Sequence, residues 1–284
     1  MLNKEKLSLK ILRSPCCSKP LKSVNELRCN KCGTLYHYKN NKPILIAKNQ
    51  LREDIKNLKS AKDSRFSFEE NSFIKGLFPP PESLRIIDRK NSLIKSLPKN
   101  SIALDIGSES KYQNVIAIDI NPSMNPDIIA DTTSLPFNDK TFDLIICQYV
   151  LEHVKDLKKA VSEVDRVLKP GGLVYIDMPF IQPQHPSPSD YNRLTLKGLK
   201  LLMKNFNEVE IGISIGPAST LAWIIREFPA IFFDNKFLYR FTKFISGWMV
   251  FPLKYLDHIL VKKKHAYILA SSFYYIGRKT NNTK

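Results

Sequence analysis

From Ile102 onward the chain repeats one pattern: a short apolar run, then a polar turn that often opens on an acidic residue. "SIALDIG", "NVIAIDI", "DIIAD" and "FDLIICQYV" follow one another in this way. Runs that are apolar on both faces suit parallel strands covered by helices, whereas a one-sided sheet would alternate. "LKKAVSEVDRVL" supplies such a helix, with Leu157, Ala160, Val161, Val164 and Leu168 on one face, and Pro170-Gly171-Gly172 is expected to end it before the strand "GLVYIDMPF". "TLKGLKLLMKNF" reads as a further helix, followed by strands at "NEVEIGISIG" and "AYILASSFYYIGRK". The fold class is α/β, a doubly wound open sheet.

In such a sheet the ligand lies beyond the carboxyl ends of the strands. Asp105 and Gly107 follow the first strand, Asp119 ends the second and Asp131 the third. A carboxylate at the second strand end accepts ribose hydroxyls. A dinucleotide site would also need G-x-G-x-x-G so that the backbone can approach a pyrophosphate. Here only Gly107 stands, and Glu109 takes the second glycine's place and would repel phosphate. The ligand expected is therefore one with ribose and adenine but no phosphate. From Asp105 to Asp119 there are only 14 residues, so the helix that normally joins these strands must be short or absent.

"LDIGSES", "DIIADTTSLPFNDKTFDLIICQYVLEHV" and "RVLKPGGLVYIDMPF" together resemble the class I S-adenosylmethionine-dependent methyltransferases, in their type 11-like group. The resemblance implies a seven-stranded Rossmann-like sheet and S-adenosylmethionine as cofactor. It also implies that Asp105 and Gly107 line the methionine moiety, Asp119 holds the ribose, Asp131 and Thr132 meet the adenine, and Gln148 lies beside the sulfonium. It further implies that 101–284 form the catalytic domain.

"PFIQPQHPSPSDYNRLT" leaves the fifth strand at the cofactor end and is rigid and polar. Methyl transfer is an in-line displacement and depends largely on alignment, but a hydroxyl acceptor also needs a base. His185 and His153 are the candidate bases, with Asp190 as a third catalytic candidate and Tyr191 and Arg193 as substrate contacts. His153 reads equally well as a packed helix residue. The pattern His185, Pro188, Asp190, Tyr191, Arg193, Thr195 resembles one in methyltransferases of cell-surface glycan synthesis. That implies a saccharide or lipid-linked saccharide hydroxyl as acceptor.

Cys16, Cys17, Cys29 and Cys32 crowd the first 32 residues, which in a reducing compartment points to a metal before disulfides. Residues 1–47 resemble a zinc ribbon, implying structural zinc, with Ser14 where the first cysteine is expected. Cys16 completes the set only if two adjacent cysteines both turn inward; His37 or water are the alternatives. Residues 48–100 read as a helical linker.

Charge is segregated. Residues 1–60 hold 14 Lys/Arg against 4 Asp/Glu, 61–216 hold 19 against 20, and 217–284 hold 11 against 3. Basic ends on a neutral core suit an anionic partner. The insertion 217–266 mixes Trp223, Phe228, Phe232, Phe233, Phe237, Phe241, Phe244 and Trp248 with Lys236, Arg240, Lys243 and Lys254, and Pro229 and Pro252 cut it into short helices. It reads as an in-plane element on a membrane surface or, equally, as a helical cap with its aromatics in the core. The N-terminus has no signal-peptide pattern, so a cytoplasmic protein is expected, peripheral at the inner membrane face if the insertion binds lipid. Two other readings stay open: an rRNA or tRNA methyltransferase whose basic ribbon binds RNA, and a non-catalytic binding protein on a degenerate fold.

Overall fold

The computed structural model describes residues 9–22, 27–46, 79, 83–109, 112–184 and 189–280. The N-terminal region forms a hairpin of β1 (Leu27–Arg28) and β2 (Leu35–Tyr36), then β3 (Tyr38–Lys39) and β4 (Lys42–Leu45). After α1 (Lys90–Lys95) come β5 (Ala103–Ile106), β6 (Val115–Asp119), β7 (Ile128–Ala130) and β8 (Phe142–Gln148). These are followed by α2 (Leu157–Val167), β9 (Leu168–Pro179), α3 (Leu196–Leu202) and β10 (Phe206–Ile215). The insertion holds α4 (Pro217–Glu227), α5 (Lys236–Val250) and α6 (Asp257–Leu260), and β11 (Ser272–Lys279) ends the described chain.

One mixed sheet runs β10-β11-β9-β8-β5-β6-β7-β4-β3. β5 pairs in parallel with both β6 and β8, and all four of its residues are buried, as expected of a central strand with covered faces. Gly107 and Gln148, and with them the turns beyond β6 and β7, therefore share one end of the sheet. The described residues between β5 and β6 form no helix, in keeping with the short spacing.

The sheet has nine strands where seven were expected, because the N-terminal region adds two. β4 lies parallel to β7, with Ile44 opposite Ile129 and Leu45 opposite Ala130, and β3 closes the edge. Leu12, Leu21, Leu27 and Tyr36 are buried in the same core as Ile128 and Phe137. Arg13 and Arg166 both reach Asp139, at 2.5 and 2.8 Å. The ribbon-like region thus shares a core and a sheet with the rest of the chain.

Two strand boundaries differ from expectation. Leu168 does not lie on the α2 face: the helix ends at Val167 and Leu168 opens β9 opposite Phe142. Pro170-Gly171-Gly172 then bulges out of β9, since the next matched pair is Leu144 with Leu173. Gly171 supplies the left-handed backbone this needs, with φ of 77°. The last strand begins at Ser272, not at Ala266, and Ala266–Leu269 is a 3-10 turn. Ser272 faces Pro179, which has no N–H to prolong the ladder.

In the insertion, Pro229 and Pro252 each sit at the start of a 3-10 turn, Phe228–Phe232 and Phe251–Leu256, where a missing N–H costs nothing. The buried Asp257 carboxylate caps α4, accepting from Ala218 N at 2.8 Å and from Ser219 N and Oγ at 3.0 and 2.6 Å. Among the described residues no helix is long and apolar enough to cross a membrane. The aromatics do not form a core: Phe228, Phe232, Phe237 and Phe241 are exposed.

Candidate cofactor site and metal centre

At the end of β5, Asp105 is buried and paired with Lys90 Nζ at 2.6 Å. The same amine donates to Ser108 Oγ at 3.2 Å, so α1 holds a cation over the turn. Gly107 has φ of 76° and donates its N–H to Ile118 O at 2.7 Å. A Cβ built there would run into the Val150 side chain, so conformation and space both require glycine. Glu109 is exposed. At the end of β6, Asp119 Oδ1 accepts from Asn121 N at 2.6 Å, fixing a half-buried carboxylate beside the turn. Beyond β7, Asp131 caps its own turn, accepting from Thr133 N and Oγ1 at 2.8 Å each, next to the buried Thr132.

Gln148, at the end of β8, donates through Nε2 to Tyr175 Oη at 3.2 Å and Asp88 Oδ1 at 3.4 Å. It belongs to a polar group that sequence reasoning missed. Tyr149 has φ of 54°, a left-handed conformation that costs a bulky residue of order 1–3 kcal/mol. Its hydroxyl bonds Ser272 Oγ at 2.8 Å, Ser272 bonds Ser214 Oγ at 2.7 Å, and Ser214 donates to Asp177 Oδ1 at 2.6 Å. The Arg85 guanidinium lies 4.9 Å from the Tyr149 ring centre and 3.3 Å from Asp88. Burial lifts the Asp177 carboxyl to about 6 despite the Ser214 bond and the Arg85 charge. Asp177 interrupts the apolar strand "GLVYIDMPF", and that interruption was its one sequence signal. Arg85, Asp88 and Lys90 lie in no recognisable motif.

The other predicted site residues form a second group. His153 Nδ1 is 2.5 Å from the Ser189 carbonyl oxygen, and its Nε2 lies 3.8 Å from Glu152 Oε1. Glu152 is fully buried, and desolvation lifts its carboxyl to about 8. Asp190 and Arg193 form a two-pronged ion pair, which ties a catalytic candidate to a substrate-binding one. Tyr191 is exposed, with Lys155 Nζ 5.8 Å from its ring centre. His185 lies outside the described residues.

The four N-terminal thiols converge, with the sulfurs of Cys16, Cys17, Cys29 and Cys32 all within 4.8 Å of one another. Tetrahedral zinc thiolate needs sulfurs about 3.8 Å apart, so the set fits zinc. The adjacent Cys16 and Cys17 do both turn inward, helped by Ser18 at φ of 54°. Ser14, in the place of the usual cysteine, is buried and donates through Oγ to Cys29 Sγ at 3.2 Å. It supports a ligand from behind. The Thr34 hydroxyl and backbone lower the Cys32 thiol to about 6, which favours the ligating thiolate.

A doubly wound sheet with Asp105 in β5, Asp119 at the end of β6, Asp131 just past β7 and a turn that only glycine fits is an α/β arrangement able to offer polar groups to a nucleoside-like ligand. Residues 100–176 match the family model described as methyltransferase domain. The chain is 35% identical over 77 residues to the 2-phytyl-1,4-naphtoquinone methyltransferase of Nostoc punctiforme, covering 27% of this chain and 33% of that one. It is 35% identical over 101 residues to the demethylmenaquinone methyltransferase of Streptomyces avermitilis, covering 35% and 41%. The chain thus spans less than half of these curated relatives' length. A Haemonchus contortus phosphoethanolamine N-methyltransferase 2 structure with S-adenosyl-L-methionine superposes with a TM-score of 0.43 at 18% identity, covering 68% of this chain and 52% of that one.

Proposed function

We propose that this protein is an S-adenosylmethionine-dependent methyltransferase acting on a hydroxyl of a saccharide or lipid-linked glycan. One observation carries the reading: Asp105 lies near the carboxyl end of β5, Asp119 ends β6 and Asp131 follows β7, all at the end of the sheet where Gly107 turns, inside the segment that matches the methyltransferase domain model. The site's chemistry fits this cofactor. Lys90 and the Asp105 carboxylate complement the carboxylate and ammonium of an amino acid, Asp119 complements a ribose diol, and the Gly107 turn has no room for a side chain. When bound, S-adenosylmethionine supplies an activated methyl group on a sulfonium.

The chain's own contribution is chiefly alignment. The Asp190–Arg193 pair and the His153–Ser189 contact hold residues 189–193 beside β8's end, where Gln148 and Tyr149 also lie. His185, between Pro179 and Ser189 in sequence, is the proposed base for the acceptor proton. A second reading, methylation of a prenylated quinone, draws on the names of the two curated relatives. Both acceptors combine a polar ring with a long apolar tail, which suits a protein with so much exposed apolar surface in its insertion.

Calorimetry with S-adenosylmethionine tests the cofactor assignment, with micromolar binding expected and no heat at millimolar cofactor ruling it out. Transfer of labelled methyl to a lipid-linked saccharide, with a prenylquinol run in parallel, separates the two acceptors. Label appearing only in the quinol would overturn the glycan reading.

A further inference from the structure

The insertion leaves a large apolar face bare. Phe232 is 76% exposed, Met249 75%, Phe237 72% and Ile231 70%, far above what isolated surface residues explain. These residues lie on α5 and on the 3-10 turn between α4 and α5. Between the two helices runs a groove of about 400 Å³ lined by Ile225, Pro229, Phe241, Ile245, Met249 and Val250, with Thr242 and Ser246. Ser246 makes no demand on a ligand, because its hydroxyl already donates to backbone carbonyls at Arg226 and Thr242, at 2.9 and 2.8 Å. The groove therefore takes hydrocarbon.

Charge decides the occupant. Over the helices and turn themselves, 217–250, Arg226, Lys236, Arg240 and Lys243 stand against Glu227 and Asp234, with Lys243 paired to Glu227 at 2.6 Å, which leaves a net positive face. A second copy of this chain would set like charges face to face. An anionic bilayer offers both hydrocarbon for the aromatics and negative headgroups for the lysines.

We propose that α4, the Phe228–Phe232 turn and α5 form an in-plane dock for an anionic phospholipid bilayer, with the groove between the helices taking one acyl chain. This deepens the reading of a membrane-borne acceptor, since it brings the carboxyl end of the sheet to the surface where such an acceptor lies.

The test is cosedimentation of the full chain, without cofactor or acceptor, with phosphatidylcholine vesicles and with vesicles that also contain phosphatidylglycerol. Binding to the anionic vesicles is expected, weakened but not abolished by salt, with a blue shift of tryptophan emission. The double variant Phe232→Ser/Met249→Ser alters only exposed side chains and should lower partitioning by at least about tenfold; Phe237→Ser is the independent second variant. Absence of vesicle binding, unchanged binding by both variants, or a dimer in light scattering that the variants dissolve would each overturn the proposal. A chain that binds vesicles but not S-adenosylmethionine would sink the methyltransferase reading alone. One that methylates but ignores vesicles would sink the dock alone.

Discussion

Lys90 Nζ lies 2.6 Å from the Asp105 carboxylate, a pairing of the first residue of α1 with the third residue of β5. Asp105 is 3% exposed, so removing the lysine takes a cation from a buried carboxylate, and removing the carboxylate takes an anion from the amine over the turn. Lys90→Met should therefore weaken S-adenosylmethionine binding by about tenfold to a hundredfold, equivalent to one or two charge-assisted contacts. Calorimetry reads this directly. Lys90→Arg should restore part of the affinity if the charge is what matters.

Gly107→Ala tests whether the turn is a ligand cradle or a bare connection. The alanine faces both a φ of 76° and the Val150 side chain, so a cost of about 1–3 kcal/mol in stability is expected. Gly107→Ala/Val150→Ala relieves the clash but not the backbone strain. Thermal denaturation should show partial recovery in the double variant. Full recovery would mean that the left-handed conformation costs nothing here.

Most of the sheet could be read from sequence because burial on both faces leaves a local signature, and the acidic residues at the ends of the apolar runs marked where the strands stop. That pattern is what singled out Asp105, Gly107, Asp119 and Asp131 as candidate cofactor residues. The Arg85, Asp88 and Lys90 contribution was not legible: it depends on a segment with no periodicity folding back over the sheet, and no local rule fixes that. Tyr149 N donates to Asp177 O at 2.9 Å, but their side chains are linked through Ser272 and Ser214, which arrive from β11 and β10. The extra sheet edge was equally hidden, since Ile44 pairs with Ile129 across a separation that only tertiary packing sets.

The buried Asp177 makes stability depend on pH in a defined direction. Its carboxyl is raised to about 6 in the folded protein, chiefly by desolvation, while the unfolded chain keeps an ordinary value near 3.9. Between those values the folded state holds a proton that the unfolded state has lost. The penalty is complete above about pH 6 and vanishes as pH falls toward about 4. Asp177→Asn keeps an acceptor for the Ser214 hydroxyl and should stabilise the fold by about 2 kcal/mol at pH 8, with little effect at pH 4.5. Denaturant unfolding at both pH values checks this. Equal effects at the two pH values would mean that the carboxylate is compensated by Arg85.

Metal removal should reach beyond the ribbon. The sulfurs of Cys16, Cys17, Cys29 and Cys32 gather a region whose hairpin strands, β1 and β2, are only two residues each. Such short strands supply little cohesion, so metal binding there is in effect folding energy. The same region supplies β4, which borders β7, and Arg13, whose 2.5 Å ion pair with Asp139 holds the turn just before β8. Zinc should be found in a ratio of one per chain by elemental analysis. Chelation, or Cys29→Ser with Cys32→Ser, should lower the melting temperature by at least about 5 °C and weaken S-adenosylmethionine binding several-fold, because the β7 edge, which leads into the Asp131 turn, loses its neighbour. Cys147→Ser is the control, since that thiol is buried in β8 far from the cluster in sequence. Loss of zinc with cofactor affinity unchanged would show that the ribbon-like region folds on the sheet without bearing on the site.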